Sequence, residues 1–239
     1  MLIKSADVIV IAGLVVILVK SLSLDSQPKI IAGSTFYHSL TNYRDSARNY
    51  LGTFRDRSKI TFDENSLSAD FKRDYPEVNA VSVELPVFSS KPVIRLSIAG
   101  PAFFLKSGDK EYVVDSDGRA VGPKSLYQRA KLAEVIDSAG LPVSLGKQVL
   151  STANVLFITD LINQSKKSGV PIKSLVLSDT PQELDLRTTD QPYMVKFYLS
   201  GDPKDQIGQF LAARNDFKQK NIRPDQYLDV RVSGRIFYK

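Results

Sequence analysis

The chain has 239 residues, 43% hydrophobic and 24% charged, enough for one large or two small domains with real hydrophobic cores. With no cysteine, a disulfide framework, a thiolate metal site and a cysteine nucleophile are excluded. The net charge of +6 suits an acidic surface such as anionic lipid or wall polymer. Lysine and arginine are nonetheless interspersed with acids, and no basic block interleaves with aromatics, so nucleic acid is not an expected partner.

The first segment with a clear physical reading is ADVIVIAGLVVILVKSLSL. As a helix, the uncharged run from Val8 to Val19 covers only about 18 Å of a hydrocarbon slab roughly 30 Å thick. Extended to Leu24 it reaches about 25 Å, if Lys20 snorkels to the outer interface and Asp7 stays at the inner one. Residues 1–29 are therefore expected to be a short cytoplasmic head, carrying Lys4, and a transmembrane anchor built on Val8, Ile11, Leu14, Ile17 and Leu18. On this reading the protein crosses the cell membrane once, N-terminus cytoplasmic, and everything after residue 29 is extracytoplasmic. Two alternatives stand beside it: a cleaved leader with Ser21-Leu22-Ser23 as the processing site, and a helix buried in a core.

Phe36, Leu40, Tyr43, Ala47, Tyr50 and Leu51 form a helical stripe, which predicts a juxtamembrane helix within residues 30–56. The only histidine, His38, lacks acids or cysteines at ligand spacing and reads as a solvated residue. Over 57–104 the pattern is β-α-β-β. KITF supplies a short strand with Ile60 and Phe62 on one face, and Asp63 caps a helix whose inner face is Leu67, Phe71 and Tyr75 before Pro76. AVSVEL and VIRLSI then alternate as a hairpin, with Val81, Val83, Leu85, Ile94, Leu96 and Ile98 inward.

From 105 to 239 the signals predict a mainly antiparallel α+β domain. Tight turns fall at Ser107-Gly108-Asp109 and at Asp115-Ser116-Asp117-Gly118; the second lacks the remaining oxygen ligands of a calcium loop and reads as a hairpin turn. KLAEVID is a candidate strand. A helix over Ser151–Lys166 buries Phe157, Ile158, Leu161 and Ile162, and strands IKSLVLS, ELDLRTT and YMVKFYLS follow. A second helix carries Ile207, Phe210, Leu211, Arg214 and Phe217. The chain closes on QYLDVRVSGRIFYK, read as one strand with Leu228, Val230 and Val232 inward, a terminal sheet edge open to another chain.

Catalytic machinery is not legible: there is no nucleophile elbow, phosphate-cradling glycine loop or HExxH motif. The expectation is a protein that is not an enzyme and takes no cofactor, with an exported hydrolase assembled only by the fold as the competing idea.

Several stretches, in order, resemble the FtsQ/DivIB cell-division family: ITFD leading to YPEV at Tyr75–Val78, YVVDSDG at Tyr112–Gly118, Leu141-Pro142, SLVLS followed by ELDLR, and YLDVRVSGRIFYK. The chain departs from that pattern where Glu84-Leu85-Pro86 stands in place of a basic residue before proline, and Ala99-Gly100-Pro101 in place of an acidic one. The resemblance implies a transmembrane helix, a POTRA-like domain at 57–104 and an FtsQ-type β domain at 105–239. It further implies a divisome scaffold that recruits the bitopic proteins FtsB and FtsL and regulates septal peptidoglycan synthesis, with further divisome proteins met through the POTRA domain. In that family the partner adds a strand at the end of the β domain. Here that edge would comprise Tyr227, Asp229, Arg231, Arg235, Phe237 and Tyr238. A POTRA-bearing factor of protein export or envelope assembly is the alternative implied by the small domain alone.

Overall fold

The computed structural model describes residues 5–52, 58–87, 89–127 and 129–239, so Lys4 lies outside the described residues. The chain divides into two units, Met1–Gly100 and Pro101–Lys239, each with helices and its own sheet. The fold class is mixed α+β, and the division falls after Gly100 rather than after residue 104.

The first unit opens with helix α1 (Ser5–Leu22), which contains Val8, Ile11, Leu14, Ile17 and Leu18. Ile11, Leu14, Ile17 and Leu18 are each more than half exposed, as are Val10, Val15, Val16 and Val19. Among the described residues no helix is long and apolar enough to cross a membrane; the side chains of α1 are described only from Val10 onward. The helix also stops earlier than expected. Leu24 is buried within the unit instead of extending the apolar span.

After α1 come β1 (Lys29–Ala32), α2 (Leu40–Tyr50), α3 (Glu64–Asp74), β2 (Val78–Glu84) and β3 (Val93–Ile98). The sheet order is β1-β3-β2, with β1 parallel to β3 from Lys29 opposite Val93 and β2 antiparallel to it. A parallel neighbour requires a crossover connection, and α2 and α3 lie in it. Two expectations are corrected here. Residues 53–56 lie outside the described residues; the rest of the stretch at 30–56 is not a connector between membrane and domain, because β1 is a strand of the sheet and Tyr43, Ala47 and Leu51 are buried in its core. KITF is not a strand: residues 59–61 form a turn and Ile60 is 73% exposed. The place beside β3 is filled by β1, whose Ile30 is buried.

Other readings hold. The side chain of Asp63 accepts the amides of Asn65 at 3.0 Å and Ser66 at 3.2 Å and so caps α3, an arrangement usually worth about 1 kcal/mol. Leu67 and Phe71 face inward with Ile94, Leu96 and Ile98, while Val81 and Val83 alternate as expected but are only half buried. His38 is not merely solvated. Its Nδ1 lies 2.7 Å from Oε1 of Glu77, a buried residue whose carboxylate also accepts the Tyr43 hydroxyl at 2.8 Å.

The second unit contains β4 (Pro101–Ser107), β5 (Lys110–Asp115), β6 (Ala120–Pro123), a 3-10 turn (Lys124–Tyr127), β7 (Glu134–Asp137), α4 (Thr152–Lys167), β8 (Ile172–Leu177), β9 (Glu183–Thr188), β10 (Met194–Tyr198), α5 (Pro203–Lys220), β11 (Tyr227–Asp229) and β12 (Phe237–Tyr238). Its sheet runs β12-β11-β10-β9-β8-β7-β4-β5-β6. Pairing is mainly antiparallel, with β11–β10, β8–β7 and β7–β4 the parallel exceptions. Ser151 caps α4 and Asp202 caps α5. Both helices bury one face in a core of Phe157, Ile158, Leu161, Phe210 and Phe217 against Leu175, Leu184, Leu186, Val195, Phe197 and Leu228. KLAEVID is a strand only over its last part, β7.

Candidate docking edge

An open sheet edge is defined by what covers it, and the two edges of the large sheet differ. At β6, the Ala120 amide donates to the Lys147 carbonyl at 3.1 Å and the Gly146 amide donates to the Ala120 carbonyl at 2.8 Å. Arg119 bridges to Gln148. That edge is covered by the chain itself. At the other end β12 pairs antiparallel with β11, Leu228 opposite Tyr238 and Asp229 opposite Phe237.

The closing segment is therefore two short strands and not one. Leu228 and Val230 point into the core as expected, but Val232 is exposed. A turn intervenes, with the Arg235 amide donating to the Val232 carbonyl at 3.1 Å and Gly234 at φ +71°. Positive φ suits a residue without Cβ. Pairing across β11 and β12 fixes the outward groups. Lys239 exchanges hydrogen bonds with Tyr227, its amide donating at 3.1 Å and its carbonyl accepting at 3.4 Å. In an antiparallel ladder the adjacent pair is the non-bonded one, so the N–H and C=O of Tyr238 face away from β11.

The predicted edge residues separate into two groups. Asp229 and Arg231 are tied to each other: Nε of Arg231 donates to Oδ1 at 2.9 Å and Nη2 to Oδ2 at 2.6 Å. Arg231 also donates to Glu183, a buried carboxylate held as well by Lys196 at 3.0 Å. Burial pushes the Asp229 carboxyl up, but the Arg231 hydrogen bonds outweigh it and leave the group below its ordinary value. The Asp229 side chain raises Arg231 in turn. The second group is open. Phe237 and Tyr238 are each about half exposed, Tyr227 is half-buried on β11, and Arg235 is exposed with no carboxylate partner among the described residues.

Beside this edge lies a groove of about 770 Å³ lined by Tyr193, Arg214, Phe217, Lys218, Asn221 and Arg223, among others. Phe217 joins groove to edge, since its ring meets that of Tyr238 at 4.9 Å. Asp190 holds Arg214, and that contact draws the Asp190 carboxyl below the usual range, while Lys218 and Arg223 are exposed. Sequence reasoning missed this groove, because its walls come from the loop after α4, the β9–β10 turn, α5 and the loop that follows it, which only the fold brings together.

Burial raises the carboxyls of Asp115 and Asp185, but they stand on β5 and β9, with β4, β7 and β8 between. Asp115 serves its turn: Oδ1 accepts the amides of Asp117 at 3.0 Å and Arg119 at 2.8 Å. Among the described residues no cluster of three or more histidine or acidic side chains could hold a metal ion.

Comparison with known proteins adds no identification: no protein-family model matches the chain, and no curated protein matches it in sequence.

Proposed function

We propose that the chain is a non-enzymatic scaffold of the FtsQ/DivIB kind, anchored in the cell membrane by α1. It recruits FtsB- and FtsL-type division proteins and so regulates septal peptidoglycan synthesis. The observation that carries this reading is the contrast of edges in the second unit. Natural sheets cover or blunt their edges, and here residues 146 and 147 cover β6 at Ala120, while no described residue pairs with the outer side of β12. An extended partner segment would gain main-chain hydrogen bonds from Tyr238 and side-chain contacts from Arg235, Phe237 and the Phe217 groove. The exposed cations Lys218, Arg223 and Arg235 favour an acidic partner.

Support for the anchor comes from exposure. A helix apolar all round is expected inside a core or a bilayer, and among the described residues none covers α1 over Val10–Val19. Its 18 residues extend about 27 Å at the α-helical rise.

The test is co-purification of the full chain in detergent with the cognate FtsB and FtsL candidates. Tyr238→Pro removes an outward amide without removing a bond to β11, whereas Tyr238→Phe keeps that amide and the ring. Loss of binding in the proline variant, retention in the phenylalanine variant and unchanged circular dichroism in both are expected. Equal binding by both variants, or none by the parent chain, would reject the reading.

A further inference from the structure

The end of α1 is not followed by slack chain. Ser23 Oγ donates to the Lys20 carbonyl at 2.9 Å, the Lys59 amide to the Leu22 carbonyl at 2.9 Å, and Ser23 bridges to Ser58. Ser21 Oγ donates to the Val87 carbonyl at 3.2 Å, and the Asp25 amide to the Ser90 carbonyl at 2.8 Å. Two loops of the first unit, the one at 58–61 and the one carrying Val87 and Ser90, are thereby held level with the last turn of the helix. Lys59 Nζ closes the group by donating to the Pro86 carbonyl at 2.6 Å.

Each loop carries a large aliphatic side chain in solvent: Ile60 is 73% exposed and Val87 is 65% exposed. Single exposed aliphatics are common on protein surfaces, but these two are placed beside a helix that is itself apolar and uncovered. Lys20 and Lys91 are exposed around them, and Lys59 adds a third cation. Aliphatic tips among lysines match a lipid interface, where the apolar groups enter the headgroup–acyl boundary and the ammonium groups meet anionic headgroups.

We infer that the first unit rests directly on the membrane surface, with Ile60 and Val87 inserted at the headgroup level and Lys20, Lys59 and Lys91 against anionic lipid. This rests on the reading of α1 as a membrane anchor. It goes further, because a simple tether would leave the unit free of the bilayer. Held this way, the unit keeps a fixed orientation to the membrane.

The absence of cysteine makes the test direct. Single-cysteine variants Leu14→Cys, Ile60→Cys, Val87→Cys and Lys72→Cys, the last on the exposed face of α3, carry an environment-sensitive fluorophore. The full chain is reconstituted in vesicles with phosphatidylglycerol or with phosphatidylcholine alone, and quenching by spin-labelled lipids is read. The label at 14 should be quenched by deep spin labels. Labels at 60 and 87 should be quenched by shallow ones at least about twofold more than the label at 72, and more strongly with phosphatidylglycerol. Quenching at 14 with 60 and 87 indistinguishable from 72 would overturn the inference and leave the anchor intact. No quenching at 14 would overturn both. Equal quenching at 60 and 87 in the two lipids would overturn the role of the lysines.

Discussion

The ring of Tyr238, on the last strand, meets the ring of Phe217, on the last turn of α5, edge to face with centroids 4.9 Å apart. Phe217 is nearly enclosed and also meets Tyr193 at 6.3 Å, whereas about half of Tyr238 is exposed. Phe217→Ala should therefore cost about 3–5 kcal/mol, as a core truncation, and Tyr238→Ala only about 0.5–1.5 kcal/mol, as loss of one aromatic pair. Hydrogen exchange separates the two further. Tyr238→Ala should speed exchange at Tyr227 and Lys239 while leaving the α4 amides protected; uniform acceleration would show that the edge is not a local unit.

The Glu77 carboxylate binds the first unit together, taking the Tyr43 hydroxyl and the His38 ring nitrogen on one oxygen. Glu77→Ala removes a charged acceptor from a buried position and should cost about 2–3 kcal/mol in urea unfolding. Glu77→Gln keeps an acceptor and should lose less, and His38→Ala, at a half-exposed position, about 1 kcal/mol. Glu77→Ala indistinguishable from the parent chain would show that the cluster contributes nothing to stability.

Gly118 closes the turn that leads into the covered edge. It adopts φ +85°, and an added Cβ would stand 2.0 Å from the Leu150 carbonyl oxygen. Its own carbonyl accepts the amides of Val149 at 2.8 Å and Leu150 at 3.2 Å, so the backbone has no room to shift. Gly118→Ala should destabilise the second unit by more than about 2 kcal/mol, measured as a fall in the denaturation midpoint. By contrast Gly208 lies inside α5, and an alanine Cβ there would meet nothing within 4 Å. Gly208→Ala should gain up to about 1 kcal/mol.

Two carboxyls make opposite contributions to acid stability. The hydrogen bonds of Arg231 overcome burial and hold Asp229 below its ordinary value. Its contribution is present above the unfolded pKa of about 3.9 and is lost as pH falls through the folded value. Burial raises Asp115, so the fold binds that proton more tightly than the unfolded chain does. Its contribution improves as pH falls through the raised folded value toward about 3.9. In denaturation curves taken from neutral to acid pH, Asp229→Asn should flatten the loss of stability below about pH 4. Asp115→Asn should become progressively less stable relative to the parent chain as pH falls. Parallel curves for all three proteins would refute both assignments.

Whatever depends on neighbours along the chain was legible in the residues. Asp63 announces a helix start because a short oxygen-bearing side chain satisfies amides two or three residues on, and it is the cap of α3 in the fold. VIRLSI shows its inner face by alternation, and Asp115–Gly118 shows its turn by composition. These interactions span a few residues, so the local sequence determines them.

Pairing between distant segments was decided only by the tertiary structure. KITF and KIIA are both short strand-forming stretches, and only competition for the place beside β3 selects Lys29–Ala32. His38 reads as solitary because its partner Glu77 lies 39 positions away. Asp229 and Arg231 look available in YLDVR, but Glu183, 48 positions from Arg231, and Lys196 lock them into the sheet. The final strand reads as continuous, yet its register is set by Leu228 and Val230 reaching the core while Gly234 permits the turn that brings Phe237 and Tyr238 back to β11. A period of two tells which way a side chain points, not which strand lies beside it. That choice rests on burial and hydrogen bonding summed over the whole sheet, and only the folded chain makes it.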